Sequence, residues 1–527
     1  MTTESPKKKT DNRRQVFLAA GIVAIAFVFS RLLGLGREVV IRAYYGVDTI
    51  DAAAYGLANR FPDLIFNVVV GGALASAFIP TFAAYFANED EEGGWQLFSA
   101  VINLVLLVTI ALASIAALFA PQLVTGFFLR GKEVDPTLLN LTVRMMRVML
   151  ISTVIFGVSG VFMGALQAKQ HFTAPAFAAS IYNLGIIIGT VLWAPDGMGL
   201  AYGAVLGAIG HAAIQLPVLR RQKARYSLIF SLGDGGVRQV LLLMGPRVLG
   251  LSFSYLNRFV LPLLVLPIQV PVLDNAFQVM LMPYSVLGQA LGTAAFPTLS
   301  TLAAKKEWGE MRQIIATALR SILFLGLPIT AGLMLLSRPL ITVLFERGQF
   351  TPENTIAVAN AMLFYTLALV ALAWLDITSR AFYALGDTVT PVVAGMIQLP
   401  LMMFFSWFFA YILFPQMGWD LLGGIALGFS VSNWLETAVL LWLLRNRIGG
   451  LGGSAIWQGL QTMGGATILM GGAVYGAILL LATAHPILIL ALAGGVGIVT
   501  YFSFCWLFRV SEVQQLISIV MRRLGRG

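Results

Sequence analysis

Long apolar runs separated by short polar or charged segments dominate the chain. A run of about 20 apolar residues is long enough to cross the hydrocarbon core of a bilayer as a helix. The pattern predicts about fourteen membrane-spanning helices in an all-α protein, and this even number places both termini on one side of the membrane. The predicted spans are 16–45, 51–86, 95–120, 137–168, 173–194, 199–220, 237–267, 272–303, 310–336, 354–385, 389–414, 421–445, 455–483 and 486–508.

Short segments of the sequence recur about 217 positions apart, as expected for an internal duplication. "FIPTFAAYF" around Pro80 aligns with "AFPTLSTLA" around Pro297, and "LVTGFF" at 123–128 aligns with "LITVLF" at 340–345. Because a repeat of six helices preserves orientation, the two copies would be parallel repeats with a site between them. The predicted divisions are a basic tail at 1–15, six-helix lobes at 16–225 and 226–447, a two-helix hairpin at 448–508 and a basic tail at 509–527.

The predicted C-terminal hairpin has an unusual composition. Residues 448–508 contain no Asp, Glu, Lys or Arg, and glycine pairs recur along them. Small residues let helices pack closely or leave a groove that faces lipid. The hairpin is therefore either a peripheral lipid-facing element or a groove for an acyl or prenyl chain.

Composition narrows the class of protein. The chain of 527 residues is 58% hydrophobic and only 11% charged, against about 25% charged residues in soluble domains. The single cysteine, Cys505, cannot form an internal disulfide, and the three histidines lie too far apart in sequence for a structural metal site. The only Gly-Lys pair, Gly131-Lys132, is not part of a Walker A motif, and no catalytic set stands out. We therefore expect a multi-pass carrier without cofactor or metal, and not an enzyme.

The basic residues indicate the orientation of the chain. With a cytoplasmic N-terminus, nineteen Lys and Arg fall inside, in the two tails, at Lys169 and at 220–225, 305–312 and 445–447. Only four fall outside, namely Arg130, Lys132, Arg338 and Arg347. Cytoplasmic loops carry the excess of positive charge, so both termini are predicted to be cytoplasmic in a plasma or inner membrane. Most of the formal charge of +10 is then topological, and a nucleic-acid partner loses its main support.

Predicted helix 1 carries four charged residues at membrane depth, Arg31, Arg37, Glu38 and Arg42. Charged groups in this environment cost about 2.5–3.5 kcal/mol or more, which makes them functional candidates. Glu38 precedes Arg42 by four residues, the favourable order for an intrahelical ion pair. Arg31 and Arg37 are then left without a local partner, and the glycines between them can bend or unwind the helix. The alternatives are a shared anion site and an isolated Arg31 in a water-filled inlet.

Predicted helices 2 and 7 carry further charges. Arg60 and Asp63 are spaced to form an ion pair, and the proline between them predicts a kink. Asp51, near the outer end, is a candidate helix cap or a latch to an arginine of helix 1. In helix 7, Arg247 lies near the inner end and Arg258 lies deeper.

The remaining intramembrane charges are easier to explain. Asp376 and Arg380 are spaced as a helical ion pair, whereas Arg320 has carbonyl groups and Glu436 as alternative partners. The tally over predicted helices 1, 2, 7 and 8 is six arginines against four carboxylates, an excess of two positive charges. The arginines are Arg31, Arg37, Arg42, Arg60, Arg247 and Arg258, and the carboxylates are Glu38, Asp51, Asp63 and Asp274. A cavity lined by these helices favours an anion, and arginine forks match phosphate oxygens.

A distributed set of motifs resembles one family. "SRLLGLGRE" at 30–38, "IDAAAYGLANRFPDL" and "GGALASAFIPTFAAYF" resemble the opening of the MurJ/MviN lipid II flippases of the multidrug/oligosaccharidyl-lipid/polysaccharide exporter superfamily. The resemblance continues in "MGPRVLGLSFS", "VLGQALGTAAFPTLS", "LFERGQFT" and "RAFYALGDTVTP". It therefore covers most of predicted helices 1 to 12.

The resemblance implies a V-shaped bundle of two six-helix lobes, with a C-terminal helix pair whose groove takes a polyprenyl tail. It implies a cationic cavity for the pyrophosphate and sugar of lipid II and alternating access that carries this substrate to the outer leaflet. It further implies membrane lipids and cell-wall synthesis proteins as partners of a monomer. Arg31, Arg37, Glu38 and Asp51 match functional charges of the family by position, and Arg60 falls where a lysine is common.

Two departures from the family pattern affect the substrate. Members of the family carry an arginine on helix 2, and at or near that position this chain has Phe66-Asn67. They carry another on helix 8, where this chain has Gln278. We expect Arg258 to replace part of the lost charge. The alternatives are another polyprenyl-linked glycan and a drug/cation antiporter of the same superfamily, which would need an acidic cavity. Outside the carriers, the alternatives are a membrane glycosyltransferase and a scaffold for envelope assembly.

Overall fold

A computed structural model describes residues 29–70, 73–133, 135–229, 235–514 and 518, and the side chains of 73–76, 243 and 245–258 lie outside the described ones. All regular structure in the described ranges is helical. The chain divides into two compact units. The first comprises residues up to Val270 together with Arg347–Phe350, and the second comprises Pro271–Glu346 and the chain from Thr351 onward.

The helices of the first unit follow one another with short connections. They are α1 (29–45), α2 (Ile50–Ala58), α3 (Arg60–Val69), α4 (Ala73–Ala87), α5 (Glu91–Leu118), α6 (Ala120–Leu123), α7 (Pro136–Ala168), α8 (Thr173–Trp193), α9 (Met198–Ala213), α10 (Leu216–Arg221) and α11 (Gly235–Leu264). A π-helical turn follows α6 at Val124–Phe128.

The second unit contains α12 (Val270–Tyr284), α13 (Leu291–Lys305), α14 (Trp308–Leu335), α15 (Ser337–Phe345), α16 (Pro352–Tyr365), α17 (Leu369–Ala384), α18 (Val389–Phe408), α19 (Phe414–Met417), α20 (Leu421–Ile448), α21 (Gly453–Leu480) and α22 (Pro486–Leu507). Short 3-10 turns precede α12 at Pro267–Gln269 and α17 at Thr366–Ala368. Two π-helical turns, Ser285–Ala290 and Phe409–Leu413, continue α12 into α13 and α18 into α19.

The prediction of a multi-pass helical membrane protein is confirmed. Eleven helices of the described ranges are long and apolar enough to cross a bilayer. Each corresponds to one predicted span. The three other predictions correspond to α1, of which 16–28 lies outside the described residues, to α2–α4, and to α11, so the count of fourteen stays a prediction. The kink expected near Pro62 appears as a break at Asn59, because proline cannot donate to the carbonyl of Ala58 and crowds it.

The closest helix packing in the first unit joins α8 and α9 through glycines. A Cβ on Gly203 would lie 2.9 Å from the Cα of Ile186 and 3.1 Å from the Cα of Gly189. Side chains at Gly185 and Gly207 would likewise meet the backbone of the facing helix. Small residues in this arrangement let two membrane helices pack backbone to backbone.

The same packing recurs in the second unit between α18 and α20. A side chain at Gly424 or Gly428 would overlap the backbone of Ala410 or Ser406, respectively. The segment "GIALG" at 424–428 matches "GLAYG" at 199–203, at a separation of 225 residues. Each unit therefore contains one copy of a closely packed helix pair, which supports the duplication.

The C-terminal hairpin packs on the rest of the second unit through one face. Met463, Met470 and Tyr501 are buried in a cluster with residues of α14 and α17, and the Tyr501 hydroxyl donates to Phe324 O at 2.6 Å. By contrast, side chains at Gly472 and Gly476 would meet open space. The hairpin thus has one packed face and another with room beside its glycines.

Arg320 ties the hairpin to α14. Its guanidinium donates to both carboxylate oxygens of Glu512, at 2.8 and 3.2 Å, and to Ala455 O at 3.2 Å. Of the two partners expected for Arg320, the carbonyl group is correct. The carboxylate is that of Glu512 and not that of Glu436, because the chain after α22 turns back toward α14. These bonds lower the pKa of Glu512, against the opposing effect of its burial.

Asp387 lies just before α18, and its carboxylate binds the first residues of that helix. Its carboxylate accepts from the backbone of Val389 and Thr390 and from the side chains of Thr390 and Arg447. These bonds, led by that from the Thr390 backbone, lower the pKa of Asp387 to about 2.

Because this pKa is lowered on folding, the stabilisation by Asp387 is complete above its ordinary pKa of about 3.9 and disappears as the pH falls toward 2. Asp387→Asn should therefore lower the melting temperature of the detergent-solubilised protein clearly at pH 7 and less at pH 3. An equal loss at both pH values would contradict the contribution of the ionised cap.

Candidate functional site

Helix α1 carries a connected row of charges. Glu38 is buried, and its two oxygens accept from Arg37 Nη2 at 2.6 Å and from Arg42 Nη2 at 3.4 Å. The expected ion pair with Arg42 is present. However, the shorter bond goes to Arg37, which therefore has a local partner, contrary to the expectation from sequence. Two arginines share one carboxylate, which leaves one net positive charge on this face of α1.

Asn183 of α8 fixes the position of Arg37. Its Oδ1 accepts from Arg37 Nη1 at 3.1 Å, and its Nδ2 donates to Ser30 O at 3.4 Å. A Cβ on Gly34 would lie 3.7 Å from the same Nδ2, so this amide packs against the glycine-containing turn of α1. Sequence reasoning missed Asn183, although a polar amide within an otherwise apolar span was a signal for it.

The guanidinium of Arg37 keeps donor capacity for a ligand. Its side chain is 20% exposed, whereas its Nε is buried and has no hydrogen-bond partner among the described atoms. Glu38 and Asn183 together occupy only two of its five N–H groups. A cation held in this way can bind an anionic oxygen without losing the bonds that orient it.

Arg31 lies six residues before Arg37 on the same helix and is exposed. The helix runs without interruption through both intervening glycines, so the unwinding considered from the sequence does not occur in the described structure. On a regular helix the two arginines point about 120° apart.

The first turns of α3 place Arg60 in a buried position with only 8% exposure. About two turns further along α3, Asn67 Nδ2 donates to Asp63 Oδ1 at 2.9 Å. Phe66 packs against Phe156 of α7, with ring centroids 5.2 Å apart. The positions where the family resemblance places an arginine therefore hold a hydrogen-bonded amide and an aromatic ring.

Asp51 contacts the start of α9. Its carboxylate lies against Gly197 and accepts from the backbone N–H of that residue. Beside it, the Tyr45 hydroxyl donates to Asp196 O at 2.9 Å. Asp51 makes no ion pair with an arginine of α1 within the described residues, and Thr49 is the cap of α2. The capping alternative thus describes its position, but the capped helix is α9.

Two of the predicted cationic residues lie on α11. The side chains of Arg247 and Arg258 lie outside the described ones, although their helix α11 is described. Gln278 on α12 belongs to the second unit and is half-buried. Within the described part of the chain, no three His, Cys, Asp or Glu side chains stand close enough to hold a metal ion.

The helical fold of the chain is shared with solved structures of membrane transporters. The chain resembles a solved structure described as an inward-facing conformation of a multidrug resistance MATE family transporter of the MOP superfamily, with a TM-score of 0.68 and 15% identity, covering 84% of this chain and 99% of that one. A structure described as lipid II flippase MurJ, inward closed conformation, matches with a TM-score of 0.76 and 23% identity over 93% of this chain and 99% of that one.

The family model described as lipid II flippase MurJ matches residues 41–493, and the chain belongs to the MurJ family. The lipid II flippase MurJ of Burkholderia cenocepacia is 27% identical over 84% of this chain and 87% of its own length. The probable lipid II flippase MurJ of Rickettsia prowazekii is 25% identical over 81% of this chain and 83% of its own. Both relatives are named as lipid II flippases, which are transporters.

Proposed function

We propose that this protein is a flippase that moves lipid II, a lipid-linked pyrophosphoryl sugar, from the inner to the outer leaflet by alternating access. The observation that carries the proposal is the Arg37 site, in a chain of the MurJ family. Its guanidinium is fixed by Glu38 and Asn183 and retains donors. Arginine forks bind phosphate oxygens in a bidentate manner, so this site suits the pyrophosphate.

The other charges have distinct proposed roles. Arg31, Arg60 and Arg258 supply further positive charge to the substrate-binding cavity. Glu38 holds two arginines and so sets their charge balance, whereas Asp51 contacts the start of α9 and is a gating residue. A pyrophosphate carries more than one negative charge, so several arginines are needed to bind it.

The hydrocarbon part of the substrate requires an apolar surface. The hairpin of α21 and α22 has glycines with open space beside them, and this supports the hairpin as the groove for the polyprenyl tail. We propose lobes at 16–225 and 226–447, as the sequence predicts, although α11 belongs to the first compact unit, and we place both termini in the cytoplasm. Membrane potential or an ion gradient drives the transport.

Another polyprenyl-linked glycan is the second candidate substrate. The observation that favours it is the loss of two cations, with Phe66 in an aromatic contact and Asn67 bonded to Asp63. Gln278 is the second neutral position. A cationic drug is disfavoured, because the net charge along α1 is positive.

Rescue of bacterial cells depleted of their own lipid II flippase tests the proposal. The wild-type chain should restore growth and cell shape, and Gln278→Arg should retain or improve the rescue. Membrane insertion is measured on the same cells by immunoblotting of membrane fractions. Normal insertion without rescue by either chain would reject lipid II and favour the other glycan.

A further inference from the structure

Two titratable side chains occupy equivalent places in the two repeats, away from the arginines of α1. His211 lies on α9, and Glu436 lies on α20. They are 225 positions apart, the separation that also relates Gly203 to Gly428. The duplicated helix pair therefore carries a basic group in one copy and an acidic group at the same position of the other.

Both side chains lie deep in their spans. Glu436 is about 22 Å from the first residue of α20 and about 18 Å from its last, at a rise of 1.5 Å per residue. His211 is about 20 Å from the start of α9 and lies in its last turn, and the short helix α10 continues the same apolar span to Arg221. A charge at such depth is expensive unless it is paired or reaches water.

The surroundings of His211 define its protonation state. Gln215 Nε2 donates to His211 O at 2.9 Å and to Ser159 Oγ at 2.8 Å. Ser159 Oγ also lies 2.6 Å from His211 Nδ1 and donates to it when the neutral imidazole carries its proton on Nε2. In this tautomer the Ser159 hydroxyl accepts from Gln215 and donates to the ring. A second proton can bind at Nδ1 only if the bond from Ser159 breaks.

Glu436 has a different environment, which likewise favours the neutral form of the side chain. Its Oε1 would lie 3.5 Å from a Cβ on Gly395 of α18, and no described residue gives it a hydrogen bond or ion pair. Ser432, one turn earlier on α20, accepts from Gln398 at 3.0 Å. Arg320 is held by Glu512. An ionised carboxylate here would be unpaired at membrane depth, so the neutral, protonated form is favoured.

Charged and titratable groups on the neighbouring helices do not supply a counter-charge. Around α20 they are Glu310, Arg312 and Arg320 of α14, Glu353 and Tyr365 of α16, Asp376, Arg380 and Tyr383 of α17 and Tyr411, while α18 has none. Around α9 they are Arg144 and Arg147 of α7, Tyr182 of α8 and Arg220 and Arg221 of α10. Asp376 and Arg380 pair with each other at 2.9 Å.

We propose that His211 and Glu436 are repeat-related proton-binding sites, and that proton movement through them drives the transport cycle. This inference rests on the proposed flippase function. Release of H⁺ from the Glu436 carboxyl to water leaves a carboxylate that must reach an aqueous surface. Binding of H⁺ from water at His211 Nδ1 displaces the Ser159 donor and creates an imidazolium. Loss of the proton from Glu436 and gain of a proton by His211 each change the charge at membrane depth by one. Each therefore favours a different arrangement of the helix that carries the residue.

The first experiment detects the protons directly and needs no substrate. Infrared difference spectra of the full chain in lipid, recorded between acidic and basic buffer, should contain a protonated-carboxyl band that Glu436→Gln removes. Glu353→Gln, which alters an exposed carboxylate at the start of α16, should leave that band unchanged. Retention of the complete carboxyl signal in Glu436→Gln would overturn the assignment.

The second experiment measures transport of lipid II in proteoliposomes with an imposed pH gradient. The populations of a titrating group change about tenfold per pH unit, so a gradient of two units should alter the wild-type rate several-fold. Glu436→Gln and His211→Gln should each respond by less than about twofold, whereas Glu436→Asp should retain the response because it still titrates. The matched controls Glu353→Gln and His171→Gln alter exposed groups and should behave like wild type.

The outcomes separate the two proposals. Transport that occurs but ignores the pH gradient, or that follows a sodium gradient instead, would overturn the proton sites and leave the flippase function intact. Absence of lipid II transport under every gradient, from a chain with a normal melting temperature, would overturn the flippase function itself. An unchanged pH response in both Glu436→Gln and His211→Gln would also overturn the proton sites.

Discussion

Replacement of Arg37 by alanine is expected to abolish rescue of flippase-depleted cells, although the protein inserts normally. The change removes the guanidinium that retains donors and its bond to Glu38, so the net charge on this face of α1 becomes less positive by one. Hydrogen bonds to charged groups contribute about 1.5–3 kcal/mol each. Loss of a bidentate contact to a phosphate should therefore weaken substrate binding by about 100-fold or more.

Arg37→Lys distinguishes charge from geometry at this site. Lysine keeps the positive charge but lacks the planar fork that reaches Glu38, Asn183 and a phosphate together. We expect partial rescue, between alanine and wild type. Arg221→Ala removes a positive charge at the C-terminal end of α10 and should rescue fully. Full rescue by Arg37→Ala, with comparable amounts of protein in the membrane, would contradict the proposed anion site.

Asn183→Leu should reproduce part of the defect without changing any charge. The leucine removes the acceptor that orients Arg37 Nη1 and the donor to Ser30 O. Rescue should therefore fall between that of wild type and that of Arg37→Ala.

Gly203→Leu is expected to have the second large effect, in this case on folding. The nearest atoms to the added Cβ are all backbone, with Ile186 Cα at 2.9 Å and Gly185 O at 3.0 Å, so no side chain can move aside. Helices α8 and α9 must separate. Overpacking in a core costs about 1–3 kcal/mol, and separation of a closely packed pair brings the expected loss to about 3 kcal/mol or more.

Gly472→Leu is the matched control, because it adds the same side chain to a membrane helix where no atom lies within 4 Å. Thermal unfolding in detergent, followed by size-exclusion chromatography of the heated samples, compares the two variants. Gly203→Leu should melt well below wild type and give little monodisperse protein, whereas Gly472→Leu should behave like wild type. Equal melting temperatures would show that the α8–α9 contact is not tight.

The sequence predicted the helices well because a bilayer imposes a simple rule on length and apolarity. It also predicted the pairs of Glu38 with Arg42 and of Asp376 with Arg380, since a four-residue spacing on one helix fixes both partners. Partners from distant helices were not predictable. Asn183 lies 146 residues from Arg37, and only the packing of α8 on α1 brings them together.

Other parts of the site were misjudged for the same reason. The bond between Arg37 and Glu38 joins adjacent residues, which do not face each other on a regular helix, so helical spacing gave no signal for it. Glu512 follows α22 and reaches Arg320 only because the chain turns back there. The motifs that indicated the duplication lie about 217 residues apart. A search at that separation does not align the equivalent glycines, which lie 225 residues apart.

The glycine contacts between α8 and α9 have a mechanical consequence. Backbones that touch over Gly185, Gly189, Gly203 and Gly207 cannot slide past each other without a steric clash. We therefore expect this helix pair to move as one rigid unit during a transport cycle. Any change of shape in the first unit has to occur in other elements.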